Sequence, residues 1–208
     1  MNTNDLVAAI TNTILNQYSQ SKKIPVGISN RHVHLSQRGL DTLFGQGSQL
    51  SVMKELSQPG QYASEQKVTL VGPSGVIENV RILGPVRDKT QVEVSLSDCF
   101  KLGIKAPIRD SGDLKNSAGI TLVGPKGSVT IDEGTIIAAR HIHMHIEDAR
   151  RFGVVDKDRV CVKVSGLRGL VFDEVLVRVS GKYQLEMHVD LDEANAAGLR
   201  NQDVVEIV

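Results

Sequence analysis

The sequence predicts a mainly β protein: two small β-barrel domains related by internal duplication, each with short capping helices. Three observations carry this. First, short β-branched runs alternate with Gly/Pro turns after Lys23, as in VTLVGPSGVIENVRIL, ITLVGPKGSVTI, RVCVKVSG, EVLVRVSG and DVVEIV. Period-two patterning between frequent turn signals is the mark of many short strands. Second, three segments recur in the same order. RHVHLSQRGLDTLFG resembles RHIHMHIEDARRFG, VTLVGPSGVIENVRIL resembles VCVKVSGLRGLVFDEVLVRV, and VEVSLSDCFKLGI resembles MHVDLDEANAAGL. A tandem duplication explains all three at once. Third, helix-like segments are few and short. SQRGLDTLFG, SDCFKLGI, IEDARRFGV and LDEANAAGL each offer one or two turns ending near a glycine.

Taken in order, residues 1–23 stand apart. Leu6, Val7, Ile10, Ile14 and Leu15 recur at helical spacing, with Asn4 or Asp5 as N-cap. This predicts an N-terminal amphipathic helix followed by the polar linker QYSQSKK. Such a helix either docks on the domain or binds a partner surface. Residues 24–138 then form the first barrel, with 24–30 candidates for pairing with the second, and residues 139–208 form the second barrel.

Composition narrows the chemistry. The chain has 24 basic and 24 acidic side chains, and aromatic residues make up only 3%. A nucleic-acid surface, which needs positive charge and stacking residues, is not expected. No apolar run is long enough to span a bilayer, and no signal-peptide pattern opens the chain. Cys99 and Cys161 form no C-x-x-C pair, which fits a reducing cytosol rather than a disulfide framework.

Five of the six histidines form a two-fold pattern: His32 and His34 in RHVH, His141 and His143 in RHIH, and His188 in EMHVD. In a strand, residues i and i+2 face the same side. Each H-x-H therefore sets two imidazoles side by side. Aligning the halves places Glu93 opposite His188. Two three-ligand sets result: His32, His34 and Glu93; and His141, His143 and His188. Three protein ligands with one open position suit a catalytic zinc. The competing reading is that these histidines satisfy local hydrogen bonds. His145 aligns with Ser36 just before a helix, where capping is favoured over ligation. Arg31 and Arg140 face away from the first histidine of each pair and read as ion-pair partners. Arg87, six residues before Glu93, can reach an anion at the metals if a bend aims it there. Ser111, in IRDSGD, can offer a hydroxyl to an oxyanion, although such a stretch is more often a turn. VGPSG and VGPKG read as turns, since they lack the context of a nucleotide loop.

Together, IPVGISNRHVHLS, GPVRDKTQVEVS, IKAPIRDSGD, AARHIHM and LEMHVD resemble the phosphate propanoyltransferases of the propanediol-utilisation, bacterial-microcompartment type. The resemblance runs from about Ile24 to the C-terminus. It implies two zinc ions near the barrel interface, held by the two ligand sets above. It implies reversible acyl transfer between coenzyme A and inorganic phosphate. Arg87 matches the phosphate-binding, catalytic arginine, and Ser111 matches a catalytic serine. Coenzyme A is expected along Ile28, Ser29 and Asn30, with Lys54, Arg81, Leu83 and Asn195 as further contacts. The substrates and products are then acyl-CoA, phosphate and acyl phosphate. The family commonly has a small hydroxyl residue and proline after HIHM, where this chain has His145 and Ile146.

The N-terminal helix resembles peptides that attach enzymes to microcompartment shell proteins. Such a peptide would place the chain in a microcompartment lumen within the cytoplasm. Its apolar stripe also permits a homo-oligomer. The competing functional readings are a zinc-dependent hydrolase acting on a thioester and a non-catalytic metal-binding adaptor.

Overall fold

The computed structural model describes residues 5–7, 11 and 22–208. The expected N-terminal helix and linker fall largely outside the described residues; within that stretch 5–7 and 11 are helical. From residue 22 the period-two runs are strands. In chain order the elements are β1 (Lys23–Ser29), β2 (His32–His34), α1 (Gln37–Phe44), β3 (Val52–Glu55), β4 (Tyr62–Val71), β5 (Val76–Gly84) and β6 (Gln91–Glu93). Then come α2 (Leu96–Leu102), β7 (Ile108–Arg109), β8 (Ala118–Val123), β9 (Ser128–Ala138), β10 (His141–Met144) and α3 (Ile146–Phe152). The chain ends with β11 (Arg159–Val164), β12 (Leu170–Val179), β13 (Glu186–Asp190), α4 (Leu191–Ala197) and β14 (Val204–Ile207).

The strands close into two six-stranded barrels, as the repeat predicts. The first runs β4-β5-β2-β6-β9-β8 and returns to β4. The second runs β11-β12-β10-β13-β1-β14 and returns to β11. The sense of pairing matches step for step: antiparallel, parallel, antiparallel, parallel, antiparallel, antiparallel. Closure leaves no free edge in either barrel.

By this correspondence β1 is the counterpart of β9. β1 joins the second barrel, far in sequence from its other strands, while all six strands of the first barrel, β9 included, lie within residues 32–138. The chain changes barrel twice, at Asn30-Arg31 and at Ala139-Arg140, just before each H-x-H strand. Burial explains why both strands are fixed where they are. Ile24 and Val26 of β1 are fully buried in the second core with Ile142, Met144, Val177 and Met187. Ile137 of β9 lies in the first core with Val33, Leu35, Ile82 and Val92. A one-residue slip would turn these side chains out to water.

The sequence-predicted details follow. Ser36, Ser95, His145 and Asp190 are the N-caps of α1 to α4, and each side chain accepts from a first-turn amide. The two G-P-x-G stretches are turns, closed by Gly72 N donating to Gly75 O and Gly124 N donating to Gly127 O, both at 2.9 Å. Both turns also serve helix ends: Ser74 N donates to Leu102 O (3.1 Å) and Lys126 N donates to Leu43 O (3.0 Å). Those carbonyls have no partner within their own helix.

Ile24→Ala should destabilise the protein by about 2–5 kcal/mol, the usual cost of emptying a buried Ile site. Urea unfolding should show a lower midpoint with unchanged slope. An exposed terminal strand would show almost no change.

Candidate active site

The two barrel changes build the site. Asn30 O accepts from His32 Nδ1 at 2.8 Å, and Ala139 O accepts from His141 Nδ1 at 2.8 Å. Each crossover carbonyl thus fixes the tautomer of the first histidine and turns its Nε2 lone pair inward. The crossover arginines anchor both bends. Arg31 pairs with Asp98 and Arg140 with Glu193, each at 2.8 Å. Asp98 and Glu193 are also the capping-box acids of α2 and α4. As the sequence suggests, these two arginines are ion-pair partners.

Register supplies the third member of each set. His32 lies opposite Glu93 across β2 and β6, and His141 lies opposite His188 across β10 and β13. His32, His34 and Glu93 converge, as do His141, His143 and His188, with candidate ligand atoms in each group within 4.8 Å of one another. His145 is in neither group; its Nδ1 accepts from Glu147 N at 3.3 Å.

Burial keeps three of these imidazoles neutral. Burial, then the neighbouring His32 and Arg87, lower the pKa of His34 to about 3. Burial and His188 lower His141 to about 4, while burial and His141 lower His143 to about 2. Neutral imidazoles are what metal ligation needs. Burial opposes charge on Glu93, yet His32 holds its carboxyl well below the usual range. Burial likewise opposes a proton on His32, but Glu93 outweighs it and raises the pKa. His32 and Glu93 thus stabilise each other's charged forms across β2 and β6.

The donor spacing fits a metal. His141 Nε2 and His143 Nε2 are 3.0 Å apart, and His32 Nε2 and Glu93 Oε2 are 3.4 Å apart. A tetrahedral zinc with bonds of ~2.0–2.1 Å spaces its ligand atoms by about 3.3 Å. His34 Nδ1 and His143 Nδ1 are buried with no hydrogen-bond partner, so local hydrogen bonding leaves one nitrogen of each ring unsatisfied.

Both groups line one cavity of about 260 Å³, with Ser29, Asn30, Leu83, Arg87 and Ser111 also on its wall. Arg87 is delivered by the bend after β5, where its amide donates to Leu35 O at 2.9 Å. Its Nη1 donates to Ser111 Oγ at 3.4 Å, and Ser111 Oγ donates to Glu93 Oε1 at 3.1 Å. The IRDSGD segment is therefore more than a turn: its serine is drawn against Glu93. Four other sequence-predicted residues are not on the wall. Ile28 packs on the second core, Lys54 and Asn195 are exposed, and Arg81 donates to the carbonyls of Ser64 and Glu65.

Several wall or supporting residues escaped the sequence reading. Gln91 Nε2 donates to Glu93 Oε1 (2.6 Å) and Ser111 Oγ (2.8 Å). Its counterpart Glu186 takes His188 Nε2 at 2.7 Å and also bonds Ser57 Oγ. Gly27 leaves room for it, since a Cβ there would stand 2.8 Å from the Glu186 carboxyl carbon and displace that side chain. The signal was available: Gln91 and Glu186 lie two residues before Glu93 and His188, hence on the same face. Arg178 and Tyr183 also line the cavity, and no motif marks either one.

Comparison with known proteins supplies the chemistry. The sequence model of the phosphate propanoyltransferase family matches residues 25–200. A phosphate propanoyltransferase of Thermotoga maritima is 59% identical over 186 residues, covering 89% of each chain. One from Rhodopseudomonas palustris is 52% identical over 185 residues, covering 89% of this chain and 82% of its own. Another from Clostridioides difficile is 47% identical over 204 residues and 98% of each chain. The chain therefore belongs to the phosphate propanoyltransferase family of acyl transferases.

Proposed function

We propose that the protein interconverts short-chain acyl-CoA and phosphate with acyl phosphate and coenzyme A, at a cavity holding two zinc ions. Propanoyl-CoA is the expected substrate and acetyl-CoA a second, since one methylene is discriminated only modestly by an apolar pocket. The observation that carries this reading is the convergence of two three-donor groups and Arg87 on one cavity.

His32, His34 and Glu93 would hold one zinc, and His141, His143 and His188 the other. Bound there, zinc supplies Lewis acidity for a thioester carbonyl and charge stabilisation for a departing thiolate. The chain's own residues do the rest. Arg87 binds phosphate through its planar fork. A phosphate oxygen then attacks the thioester carbonyl carbon. The C–S bond breaks, coenzyme A leaves as thiolate, and the acyl group remains on phosphate oxygen. Ser111, whose hydroxyl points to Glu93 Oε1 here, would turn that one proton to the tetrahedral oxyanion once zinc engages Glu93, with Gln91 still donating to its oxygen. Neither cysteine lines the cavity, in keeping with direct transfer without an acyl-enzyme.

At about 260 Å³ the cavity is smaller than the roughly 300–1,000 Å³ typical of drug-sized ligands. It suits phosphate and the thioester end of coenzyme A. Ser29, Asn30 and Leu83 would meet that end, and Ile28, Lys54, Arg81 and Asn195 lie where only the outer part of coenzyme A could reach. Attachment to a microcompartment shell through the N-terminal stretch, and residence in its lumen, complete the reading; solvent exposure of Leu6 and Val7 supports it.

The deciding experiment measures free coenzyme A released from propanoyl-CoA as phosphate is titrated, with metal analysis of the same sample. The expected result is release that saturates with phosphate, equimolar propanoyl phosphate, and two zinc ions per chain. Release independent of phosphate would support a hydrolase and overturn the proposal.

A further inference from the structure

The duplication leaves one position on the cavity wall unequal. In the first barrel β2 and β5 pair in parallel, His32 beside Arg81 and Val33 beside Ile82, so Leu83 follows at the level of His34. In the second barrel the equivalent pairing places Arg178 beside His143. Leu83 and Arg178 are thus counterparts, and both line the cavity. One half presents an aliphatic side chain where the other presents a guanidinium.

The other arginines near the site are committed. Arg31 and Arg140 hold Asp98 and Glu193, and Arg81 forks onto two backbone carbonyls. Among the described residues the Arg178 side chain makes no ion pair and no hydrogen bond; its contact is with the ring of Tyr183, 5.9 Å from centroid to guanidinium carbon. Tyr183 in turn packs edge-on against His143, with ring centroids 4.3 Å apart. The aromatic ring thus supports the guanidinium beside His143 and leaves its donors unspent.

Arg178 also acts on its neighbours as a like charge. It helps depress the pKa of Arg87 and disfavours protons on His141 and His143. The central carboxylate, Glu93, is already engaged by His32, Gln91 and Ser111. Two guanidiniums facing one partly buried cavity repel each other unless an anion joins them. A tetrahedral oxyanion with several free oxygens meets that need, since each planar fork can take two of them.

We propose that Arg178 binds the transferred phosphoryl group together with Arg87, as free phosphate in one direction and as acyl phosphate in the other. This rests on the function proposed above. One phosphate oxygen attacks the thioester, and the non-reacting oxygens are shared by the two arginines. Arg178 thereby orients phosphate from the second barrel as Arg87 does from the first.

The test uses the full-length, metal-loaded protein and its Arg178→Met and Arg178→Lys variants. Phosphate binding is measured by calorimetry without acyl-CoA, and KM is measured for phosphate and propanoyl-CoA. Metal content is checked in each sample. Arg178→Met should weaken phosphate binding and raise its KM by roughly 10- to 100-fold. KM for propanoyl-CoA and metal content should stay unchanged. Arg178→Lys should recover part of the loss, because it restores charge without the fork. Wild-type phosphate affinity in either variant overturns the proposal. So does a loss falling on propanoyl-CoA instead, which would assign Arg178 to the phosphates of coenzyme A. Should wild type bind phosphate yet release coenzyme A without it, the proposed function fails while the binding result for Arg178 stands.

Discussion

His143→Ala should lower phosphate-dependent kcat/KM at least about 10³-fold, equivalent to about 4 kcal/mol of transition-state stabilisation. The ring is buried, its Nε2 converges on that of His141, and its Nδ1 has no partner. Removing it takes one of three donors from the second group. Metal analysis should then show loss of one zinc per chain, with the first group still loaded. Circular dichroism should remain that of the folded protein, because the barrel core lies on the opposite face of β10 at Ile142 and Met144. Turnover within tenfold of wild type, with metal content unchanged, would leave the second group without a metal role.

Arg87→Ala should have the next largest effect. Losing a donor aimed at developing negative charge typically costs about 10²–10³ in rate. The loss should fall on phosphate, with both metals retained and KM for propanoyl-CoA little changed. Burial lowers the Arg87 pKa, opposed by Glu93 and reinforced by Arg178, so the guanidinium sits in a site shaped for charge compensation. Arg87→Lys should restore only part of the activity, since an ammonium lacks the planar fork. Unchanged phosphate kinetics in Arg87→Ala would remove the residue from phosphate binding.

Much of this site was legible because local geometry and duplication reinforce each other. The period of a strand puts His32 beside His34 and His141 beside His143. Superposing the halves then finds Glu93 opposite His188, and the register agrees. His145 was separable for the same reason: it occupies the N-cap position held by Ser36 in the first half. The barrel folds were legible as alternating patterns, but their closure depends on long-range pairing. Nothing in IPVGIS says that its strand is flanked by β13 and β14. Arg178 was hidden for a different reason. In EVLVRVSG it looks like an ordinary polar residue between apolar ones, and the face it occupies turns out to be the cavity wall. Lys54 and Asn195 show the limit of carrying roles by motif alone. Both are exposed away from the wall, so any contact they make must be with a part of the ligand outside the cavity.

The seating of β1 in the second barrel has a consequence for how the molecule holds together in time. Gly27 pairs with His188, so this strand pairing closes most of the chain length into a loop. Such contacts form late, because their closure entropy is met before their stabilisation is gained. All six strands of the first barrel lie within residues 32–138, whereas the second barrel closes only when β1, from the far end of the chain, fills the gap between β13 and β14. Opening the second barrel is thus coupled to withdrawal of β1, and His188, beside Gly27 in that pairing, is secured only when the two ends of the chain have met. Assembly of the candidate site therefore waits on the longest-range pairing in the fold.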